Sequence, residues 1–372
     1  MTKTIFIVDY IGTHSGMDYY LESFREVLSG IDGWRVELLS NWTDRSGEKP
    51  FFENQYKGNI LRKGFSLLRN LRRLHLFVKS HKEDVFVYLT YGNQIDLYFM
   101  NTIMSAKHHL IDIHEGIAQN IDDNQMLLRK FKKLYGEKIQ NVISHSGRTD
   151  SFLTLYEYKG RTFRVPHFKY VFPKSYDSQQ ISREIKESID TTRINLLFFG
   201  NLNKSKGVDI LLDAVNRLEP KIADRLNLII AGKDFDGSAW EIKPAADRNV
   251  HIFARHITDD ELRYLYQSVD YLCLPYRKTS QSGILEMAFY FKKPIIASSL
   301  PYFEKTLGEF PSFGLLAGNG AEDYARTLAK LVDDSSRERP EFFTEEDYSR
   351  YENRREIEEF KKDIKSWLRE RQ

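Results

Sequence analysis

The sequence has little of what several classes of protein require. It contains one cysteine, Cys273, which excludes disulfide bonds within the chain and indicates a reducing compartment. Its net charge is small, because 55 lysines and arginines are balanced by 53 aspartates and glutamates, so no general affinity for nucleic acid is expected. No apolar run approaches the ~20 residues of a membrane-spanning helix, and residues 1–10 lack the pattern of a signal peptide. We therefore expect a cytoplasmic protein.

The motifs of several nucleotide-dependent enzymes are also missing. No Walker-type G-x-x-x-x-G-K run occurs, which argues against ATP hydrolysis. Gly12 and Gly16 are too loosely spaced for a dinucleotide fingerprint. Asp234-Phe-Asp236 has the spacing of an Asp-x-Asp metal site, but we interpret it as a chance match, because Lys206 already supplies a cation. We therefore predict that the protein requires neither a cofactor nor a metal.

Strand, loop and helix patterns alternate through both halves of the chain. The apolar runs of the first half predict buried parallel strands at 4–8, 35–39, 84–89, 109–113 and 141–144. The pattern restarts in the second half with strands predicted at 193–199, 227–231, 250–253, 271–274, 294–297 and 313–316. This repetition predicts an α/β fold of two Rossmann-like domains that face a cleft.

Polar stretches and the end of the chain set the predicted domain boundaries. An N-terminal domain is placed at 1–172, and a C-terminal domain at 173–351 begins with a polar linker over 173–192. A charged helix over 352–372 follows, with an apolar stripe that includes Phe360 and Trp367. Because such a stripe must be buried, we expect this helix to pack back on the N-terminal domain.

Residues 60–79 predict a basic amphipathic helix. Its apolar side is predicted to consist of Ile60, Leu67, Leu68, Leu71, Leu74 and Val78. Its cations point elsewhere and are Arg62, Lys63, Arg69, Arg72, Arg73 and Lys79. A packed helix with a solvated basic side explains this pattern, and so does contact with an anionic membrane surface or with a lipid-linked acceptor.

Three loops of the second half are expected to meet, because the carboxyl ends of parallel strands share one edge of a sheet. They cover 200–207, 232–236 and 277–284. Lys206, with Gly207 at a helix start, offers a point charge and backbone N–H groups to a diphosphate. The turn from Ser280 to Gly283 offers N–H groups at the start of the next helix. The loops therefore predict a site that stabilises a departing diphosphate electrostatically.

Three further positions are candidates for contact with a ligand. Glu286, one turn into the helix that follows the Ser280 turn, could accept hydrogen bonds from ribose hydroxyls. His114 follows the strand 109–113, where ligands of open sheets bind. The loop from Gly12 to Gly16 either lets the backbone approach a ligand or is an ordinary strand-to-helix turn.

Four segments of the second half together resemble retaining glycosyltransferases of family 4, which have the GT-B fold. They are FGNLNKSKGVDILLDAV, LIIAGK, FARHITDDELRYLYQSVDYLCLPY and SQSGILEMAFYFKKPIIAS. A weaker resemblance extends into the first half through DIHEG and RVPHF. The SQSG run is similar to a subgroup that lacks the first glutamate of the family's usual pair. The resemblance implies that the C-terminal domain binds a nucleotide-sugar and that the N-terminal domain receives the acceptor.

The resemblance also implies roles for individual residues. Lys206 would contact the diphosphate, and His114 would contact the donor sugar near the reacting carbon. Arg255, His256 and Ile257 would lie beside the nucleotide base. The remaining residues implied to bind the donor are Gly12, Gly16, Gly200, Asn201, Lys204, Gly232, Lys233, Ser280, Gln281, Ser282, Gly283, Ile284 and Glu286.

Two positions depart from the family pattern. Asn201 stands where the family usually has an arginine, so that Lys204 would have to replace one diphosphate cation. The usual glutamate pair is not intact, since Lys278 stands at the first position counted back from Glu286. Counted from Gly283 instead, the second position is Ala288. These departures make the role of Glu286 depend on the structure.

The leading hypothesis is a retaining hexosyltransferase. Its donor would be a nucleotide-diphosphate sugar of the UDP or GDP type, and its acceptor a glycan or a lipid-linked molecule in the synthesis of a surface polysaccharide or glycoconjugate. No enzymic nucleophile is evident, which favours a front-face mechanism. Two alternatives stay open: a nucleotide-sugar epimerase of GT-B fold, and a degenerate transferase that acts as a partner protein without catalysis.

Overall fold

The chain forms two compact units in a computed structural model. The first unit consists of residues 1–171 with 354–372, and the second of residues 172–353. The residues that the structure describes are 3–12, 18–42, 49–55, 59–114, 125–170, 175–234, 237, 242–279, 281–334 and 341–370.

The first unit contains a sheet of six parallel strands. In chain order they are β1 (Lys3–Asp9), β2 (Trp34–Ser40), β3 (Val85–Thr90), β4 (His108–Ile113), β5 (Asn141–Ser144) and β6 (Arg161–Arg164). In space they follow the order β2-β1-β3-β4-β5-β6. The helices of this unit are α1 (Asp18–Ser29), α2 (Ile60–Ser80), α3 (Gln94–Ile103), α4 (Gln125–Glu137), α5 (Gly147–Leu155) and, at the end of the chain, α14 (Arg355–Arg369).

The second unit repeats this architecture with its own sheet. Its strands are β7 (Ile194–Phe199), β8 (Leu226–Ala231), β9 (Val250–Phe253), β10 (Tyr271–Leu274), β11 (Ile295–Ser298) and β12 (Gly314–Ala317). They are parallel and follow the order β12-β11-β10-β7-β8-β9. Its helices are α6 (Arg183–Glu187), α7 (Val208–Asn216), α8 (Pro220–Ala223), α9 (Asp259–Ser268), α10 (Gly283–Tyr290), α11 (Pro301–Glu309), α12 (Ala321–Asp334) and α13 (Glu345–Glu352).

The continuous apolar strands lie between helix layers, as the sequence predicts. Every residue of β3 and of β8 is buried, because parallel strands are covered on both sides by the helices that connect them. The two sheets confirm the predicted α/β class with two Rossmann-like units. None of the helices in the described part of the chain combines the length and the apolarity needed to cross a bilayer.

The last helix packs on the first unit, which confirms the prediction for the end of the chain. Phe360, Ile364 and Trp367 of α14 are buried. The Trp367 Nε1–H donates to Asn141 Oδ1 at 3.1 Å, which ties α14 to the start of β5. The burial of this apolar stripe explains why the chain returns to the first unit after completing the second.

Two sequence-based predictions were wrong in detail. The predicted linker 173–192 contains α6, and Ile185 on that helix is fully buried, so this part of the chain belongs to the core of the second unit. The predicted apolar side of α2 is buried only in part. Leu74 and Val78 are buried, but Ile60 and Leu68 are 84% and 64% exposed.

Candidate functional site

The order of strands in the second sheet reverses between β7 and β10. After β7 the chain builds β8 and β9 on one side of the sheet, and after β10 it builds β11 and β12 on the other. The chain therefore leaves the carboxyl ends of β7 and β10 towards opposite halves of the sheet, and the position between these two strand ends is called the β7–β10 crevice. Ligands of open α/β sheets bind at this position, which is where the sequence predicts the diphosphate site.

Two glycines bring the loops after β7 and β8 into backbone contact. Gly200 follows β7 with a φ of +131°, and Gly232 follows β8 with a φ of +149°. A Cβ on Gly232 would lie 1.8 Å from the carbonyl oxygen of Gly200, so no side chain fits there. The Leu202 N–H also donates to the Lys233 carbonyl at 2.9 Å. The structure thus brings together the first two loops that the sequence singles out.

Gly207 makes the same kind of contact with the loop after β10. Its φ is +71°, and a Cβ on it would lie 1.8 Å from the carbonyl oxygen of Pro275. It directly follows a 3₁₀ turn, Lys204–Lys206, and precedes α7. Asn203 caps the turn by accepting the Lys206 N–H at 3.2 Å. All three predicted loops therefore meet at one edge of the sheet.

Arg277 holds the loops after β7 and β10 together. It was not identified as a candidate site residue from the sequence. Its guanidinium donates to both carboxylate oxygens of Asp209 on α7, at 2.7 and 2.5 Å, and to the Lys204 carbonyl at 2.6 Å. Its backbone N–H donates to the Ser205 carbonyl at 3.0 Å. Burial alone would raise the pKa of Asp209, but the bonds from Arg277 lower it, so the pair stays charged.

The ammonium group of Lys206 lies at this junction. Its Nζ is 3.9 Å from the centre of the Tyr276 ring, which orients the charge by a cation–π contact. The side chain is partly buried and forms no ion pair among the described residues. Lys206 therefore presents a cation at the crevice, next to the start of α7. Asn201, Lys204 and Lys233 are exposed on the same loops.

The start of α10 lies on the other side of the crevice. Ser282 caps this helix by accepting the Leu285 N–H at 3.3 Å, and Gly283 is its first residue. The Ile284 side chain lies beside Gly200, 3.7 Å from where a Cβ would stand, so the start of α10 adjoins the loop after β7. The Gln281 carbonyl accepts from Thr279 Oγ1 at 2.7 Å. Ser280 lies outside the described residues.

Glu286 is buried and hydrogen-bonded to another helix, whereas contact with ribose would need an accessible carboxylate. It is 2% exposed, and its Oε2 accepts the Tyr351 hydroxyl at 2.6 Å. Tyr351, on α13, packs edge-on against Phe289 of α10. The position of Glu286 favours a role in holding α10 and α13 together.

The Arg255 guanidinium belongs to an ion-pair network beside the predicted site for the nucleotide base. It donates to both carboxylate oxygens of Glu261 at 2.8 Å and to Ser182 Oγ at 3.1 Å. Burial alone would raise the pKa of Glu261, but the hydrogen bonds from Arg255, Ser182 and Thr258 lower it to about 2. In the same segment, His256 is exposed and Ile257 is buried.

In the first unit, Gly12 has a conformational role after β1. Its φ is +53°, and a Cβ would lie 2.0 Å from Asn41 Oδ1. The Gly12 and Ile11 N–H groups each donate to a carboxylate oxygen of Asp9 at 2.9 Å. The Gly12 amide is therefore used inside the turn rather than offered to a ligand. Gly16 lies outside the described residues.

His114 stands at the end of β4, within a group of aromatic rings. The ring of Tyr20 is 4.7 Å from it, that of His167 is 5.7 Å away, and that of His145 is 6.0 Å away. Burial, with the neighbouring His167 and His145, holds the pKa of His114 well below its usual range. His114 is thus a neutral imidazole at pH 7, able to form hydrogen bonds without carrying a charge.

A buried, hydrogen-bonded Asp–His pair lies beside His114. The side chains of Asp112 and His145 are fully buried, and His145 Nε2 is 2.7 Å from Asp112 Oδ1. His145 Nδ1 is 3.1 Å from the Val165 carbonyl oxygen, which can only accept. The Tyr20 hydroxyl donates to Asp112 Oδ2 at 2.7 Å. The Tyr20 hydroxyl also lies 2.9 Å from His145 Nε2, so Tyr20, Asp112 and His145 form one buried hydrogen-bonded network.

Asp112, His114 and His145 also have the chemistry of metal ligands. Their ligand atoms lie within 4.8 Å of one another. In this arrangement, however, Asp112 and His145 use their facing lone-pair sites for the 2.7 Å hydrogen bond between them. The prediction that the protein needs no metal stays a prediction.

The buried histidines predict a loss of stability in acid. Burial lowers the pKa of His167 to about 3, whereas an unfolded chain would have a value near 6.5. Between about pH 3 and 6.5 the unfolded chain therefore binds one more proton than the folded chain. The free energy of unfolding decreases as the pH drops through this range. Stability should be complete above pH 6.5, and each pH unit below it should cost up to about 1.4 kcal/mol for this histidine.

The measurement is the urea midpoint of the full chain between pH 7 and 5. His167→Gln should flatten the dependence on pH, and the same substitution at His75, which is exposed, should leave it unchanged. Equal slopes for His167→Gln and the unsubstituted protein would show that His167 does not control acid stability.

Comparisons with known proteins agree with this geometry. Residues 179–350 match the family model described as "Glycosyl transferases group 1". The chain matches no curated protein sequence. The matched residues include the three converging loops, the start of α10 and the Arg255 network.

Solved structures share the fold over nearly the whole chain. Sucrose-phosphate synthase of Thermosynechococcus elongatus has a TM-score of 0.69 at 14% identity, over 99% of this chain and 98% of that one. HepE of Anabaena in complex with UDP has a TM-score of 0.64 at 14% identity, over 99% and 100% of the two chains. WaaG, a glycosyltransferase involved in lipopolysaccharide biosynthesis, has a TM-score of 0.61 at 14% identity, over 97% and 98%. These likenesses confirm the GT-B fold that the sequence predicts.

Proposed function

We propose that the protein is a retaining glycosyltransferase. It moves a hexose from a nucleotide-diphosphate sugar, of the UDP or GDP type, to a glycan or lipid-linked acceptor in the synthesis of a surface polysaccharide or glycoconjugate. The proposal rests on three loops that meet at the β7–β10 crevice, where glycines allow their backbones to come into contact. The ammonium group of Lys206 lies among these loops. The family match over 179–350 and the structure of HepE solved with UDP-glucose support it.

The crevice provides the electrostatics that leaving-group departure needs. As the bond from the sugar carbon to the phosphate oxygen breaks, negative charge grows on the diphosphate. The Lys206 ammonium and the positive ends of α7 and α10 stabilise that charge more in the transition state than in the ground state. The acceptor hydroxyl forms the new bond on the side that the phosphate leaves, and its proton passes to the departing phosphate oxygen. This sequence retains the configuration of the sugar and uses no enzymic nucleophile.

The roles of the other predicted residues are adjusted to their surroundings. Base recognition by residues 255–257 would rest on the backbone and on His256, because the Arg255 guanidinium is bonded to Glu261. Glu286 is no longer proposed as the ribose ligand, because it is buried against Tyr351. No single residue is proposed in its place. His114 is kept as a proposed contact of the donor sugar, because it is a neutral hydrogen-bonding group after a sheet strand.

Binding of a nucleoside diphosphate tests the proposal directly. A ligand that binds only the folded protein, present at 100 times its Kd, adds about 2.7 kcal/mol of stability. In a unit of this size that gain should raise the Tm by about 5–10 °C. UDP and GDP should each be titrated in a thermal-shift assay, with the corresponding nucleosides as controls, since these lack the diphosphate that Lys206 is proposed to contact.

Failure of both diphosphates to shift the Tm would refute a nucleotide-sugar site. If one does shift it, the matching donor sugars should be incubated with and without acceptors. The sugar that NMR finds in the product must keep its anomeric configuration. Appearance of an epimer of the donor without acceptor would instead identify an epimerase.

A further inference from the structure

The outward side of α2 is apolar. Leu61, Phe65, Leu68 and Leu76 have 70%, 64%, 64% and 55% of their surface exposed. At the 100° per residue of an α-helix they fall on one stripe. Soluble proteins scatter exposed apolar side chains singly, whereas several aligned on one side of a helix indicate a binding surface.

The inward side of the same helix is polar over its first half. Ser66 and Asn70 are 3% and 1% exposed. Asn70 is matched to the chain beneath it, because its amide donates to the Glu53 carbonyl and accepts the Glu53 N–H, each at 2.9 Å. These bonds fix the rotation of α2, so its apolar stripe is held outwards by specific polar contacts.

The stripe is embedded in positive charge. The helix contains no carboxylate, and its cations are Arg62, Lys63, Arg69, Arg72, Arg73 and Lys79. Arg69 pairs with Glu53 at 2.9 Å, and Arg73 lies over the Phe51 ring. Among the described residues the other four cations form no ion pair. Arg72 lies within the stripe itself, between Leu68 and Leu76.

The positive surface continues on the neighbouring helices. The helices α2, α3 and α4 lie side by side on one layer of the first unit. The exposed cations of α4 are Arg129, Lys130, Lys132 and Lys133, of which Lys132 pairs with Glu157 at 2.6 Å. Apolar groups are exposed here too, since Tyr98 on α3 and Met126 on α4 are 53% and 66% exposed. Throughout these three fully described helices, Glu137 is the only exposed carboxylate.

We propose that α2 is a docking surface for a membrane that carries anionic lipids. Its apolar stripe enters the head-group region, its cations contact lipid phosphates, and α4 adds long-range attraction. The helix lies on the bilayer rather than crossing it, in keeping with its charges. A second copy of the chain fits less well, because pairing would bring two positive surfaces together. Nucleic acid would use the cations but leave the aliphatic stripe in water.

Co-sedimentation with vesicles tests this proposal without donor or acceptor, so its outcome is independent of sugar transfer. The full chain should pellet with vesicles of phosphatidylcholine containing about one-third phosphatidylglycerol, and not with phosphatidylcholine alone. Binding should weaken as salt is raised, because the cations provide the attraction. Pelleting that is equal with both kinds of vesicle, or absent with both at low salt, would overturn the proposal.

Variants separate the apolar and the charged contributions. The triple substitution Leu61→Ser, Phe65→Ser and Leu68→Ser should weaken binding to anionic vesicles by more than about tenfold. Lys63→Gln with Arg72→Gln should reduce binding and its dependence on salt. The matched controls are Leu155→Ser with Leu316→Ser, which are exposed apolar residues elsewhere, and Lys186→Gln with Lys221→Gln in the second unit.

Two results would contradict the assignment of α2 to a bilayer. If the serine triple variant binds vesicles as strongly as the unsubstituted protein, the docking surface lies elsewhere. If sedimentation velocity without vesicles finds a dimer for the unsubstituted protein and a monomer for that variant, the stripe is an interface between two copies of the chain. Unchanged circular dichroism and an unchanged nucleoside-diphosphate shift confirm that each variant is folded.

Discussion

Replacing Lys206 with alanine should lower kcat for sugar transfer by about 10²–10³-fold, the range seen when one preorganised charge-stabilising group is removed from an active site. The effect should fall mainly on kcat, because the ammonium group gains most from the charge that develops on the leaving diphosphate. The folded state should lose little. The Lys206 side chain contributes one cation–π contact, with Tyr276 at 3.9 Å, worth about 0.5–1 kcal/mol in such partly exposed settings.

Steady-state kinetics with the true donor measures this effect, and two further variants make it specific. Lys206→Arg keeps the charge and should recover part of the rate. Lys221→Ala removes a cation that is 78% exposed before β8, at the opposite edge of the same sheet, and should leave kcat unchanged. A Lys206→Ala protein with unaltered kcat and unaltered affinity for the nucleoside diphosphate would remove Lys206 from the reaction.

The meeting of the three loops in the second unit could be predicted because it depends only on where each strand ends. In a parallel sheet all carboxyl ends share an edge, so Lys206, Gly232 and Gly283 had to lie near one another once the strands were identified. The strand order that creates the crevice between β7 and β10 follows from chain connections that periodicity does not reveal. Arg277 was missed for the same reason, because its partner Asp209 lies in another loop–helix segment.

Other side chains could not be placed, because their partners are distant in sequence. The carboxylate of Glu286 has the spacing of a ligand group, but its direction is set by Tyr351 on a helix that the sequence did not indicate. In α2 the apolar period was visible, yet which side is buried depends on Asn70 and its bonds to Glu53. Hydrophobic periodicity alone assumes that the apolar side is inward, which is wrong for Leu68.

The surroundings of His114 show most clearly that contacts between residues distant in sequence could not be predicted. Asp112, His145 and Tyr20 come from β4, the end of β5 and α1, and only folding brings them together. A rule that looks for polar residues after strands would have found His145, which directly follows β5. It would not have shown that this histidine bonds Asp112, because the two residues meet only when β4 and β5 pair in the folded sheet.

Asp112→Ala should destabilise the first unit by about 3–5 kcal/mol, because it leaves both His145 and Tyr20 without their buried hydrogen-bond partner. The loss arises because both side chains are fully buried and cannot replace these hydrogen bonds with water. Tyr20→Phe removes one hydrogen bond to the same carboxylate and should cost about 1–3 kcal/mol. Urea denaturation of the full chain measures both, followed by tryptophan fluorescence to which the buried Trp34 and Trp367 of this unit contribute.

A surface pair provides the matched control. Asp32 is 92% exposed and bonds Lys365 at 3.2 Å, so Asp32→Ala should cost no more than about 1 kcal/mol. The double variant Asp112→Ala with His145→Ala removes both members of the pair, and should be less destabilised than the sum of the two single variants, because neither partner of their hydrogen bond is left buried and unsatisfied. Additive losses would show that Asp112 and His145 act as separate packing residues rather than as a coupled pair.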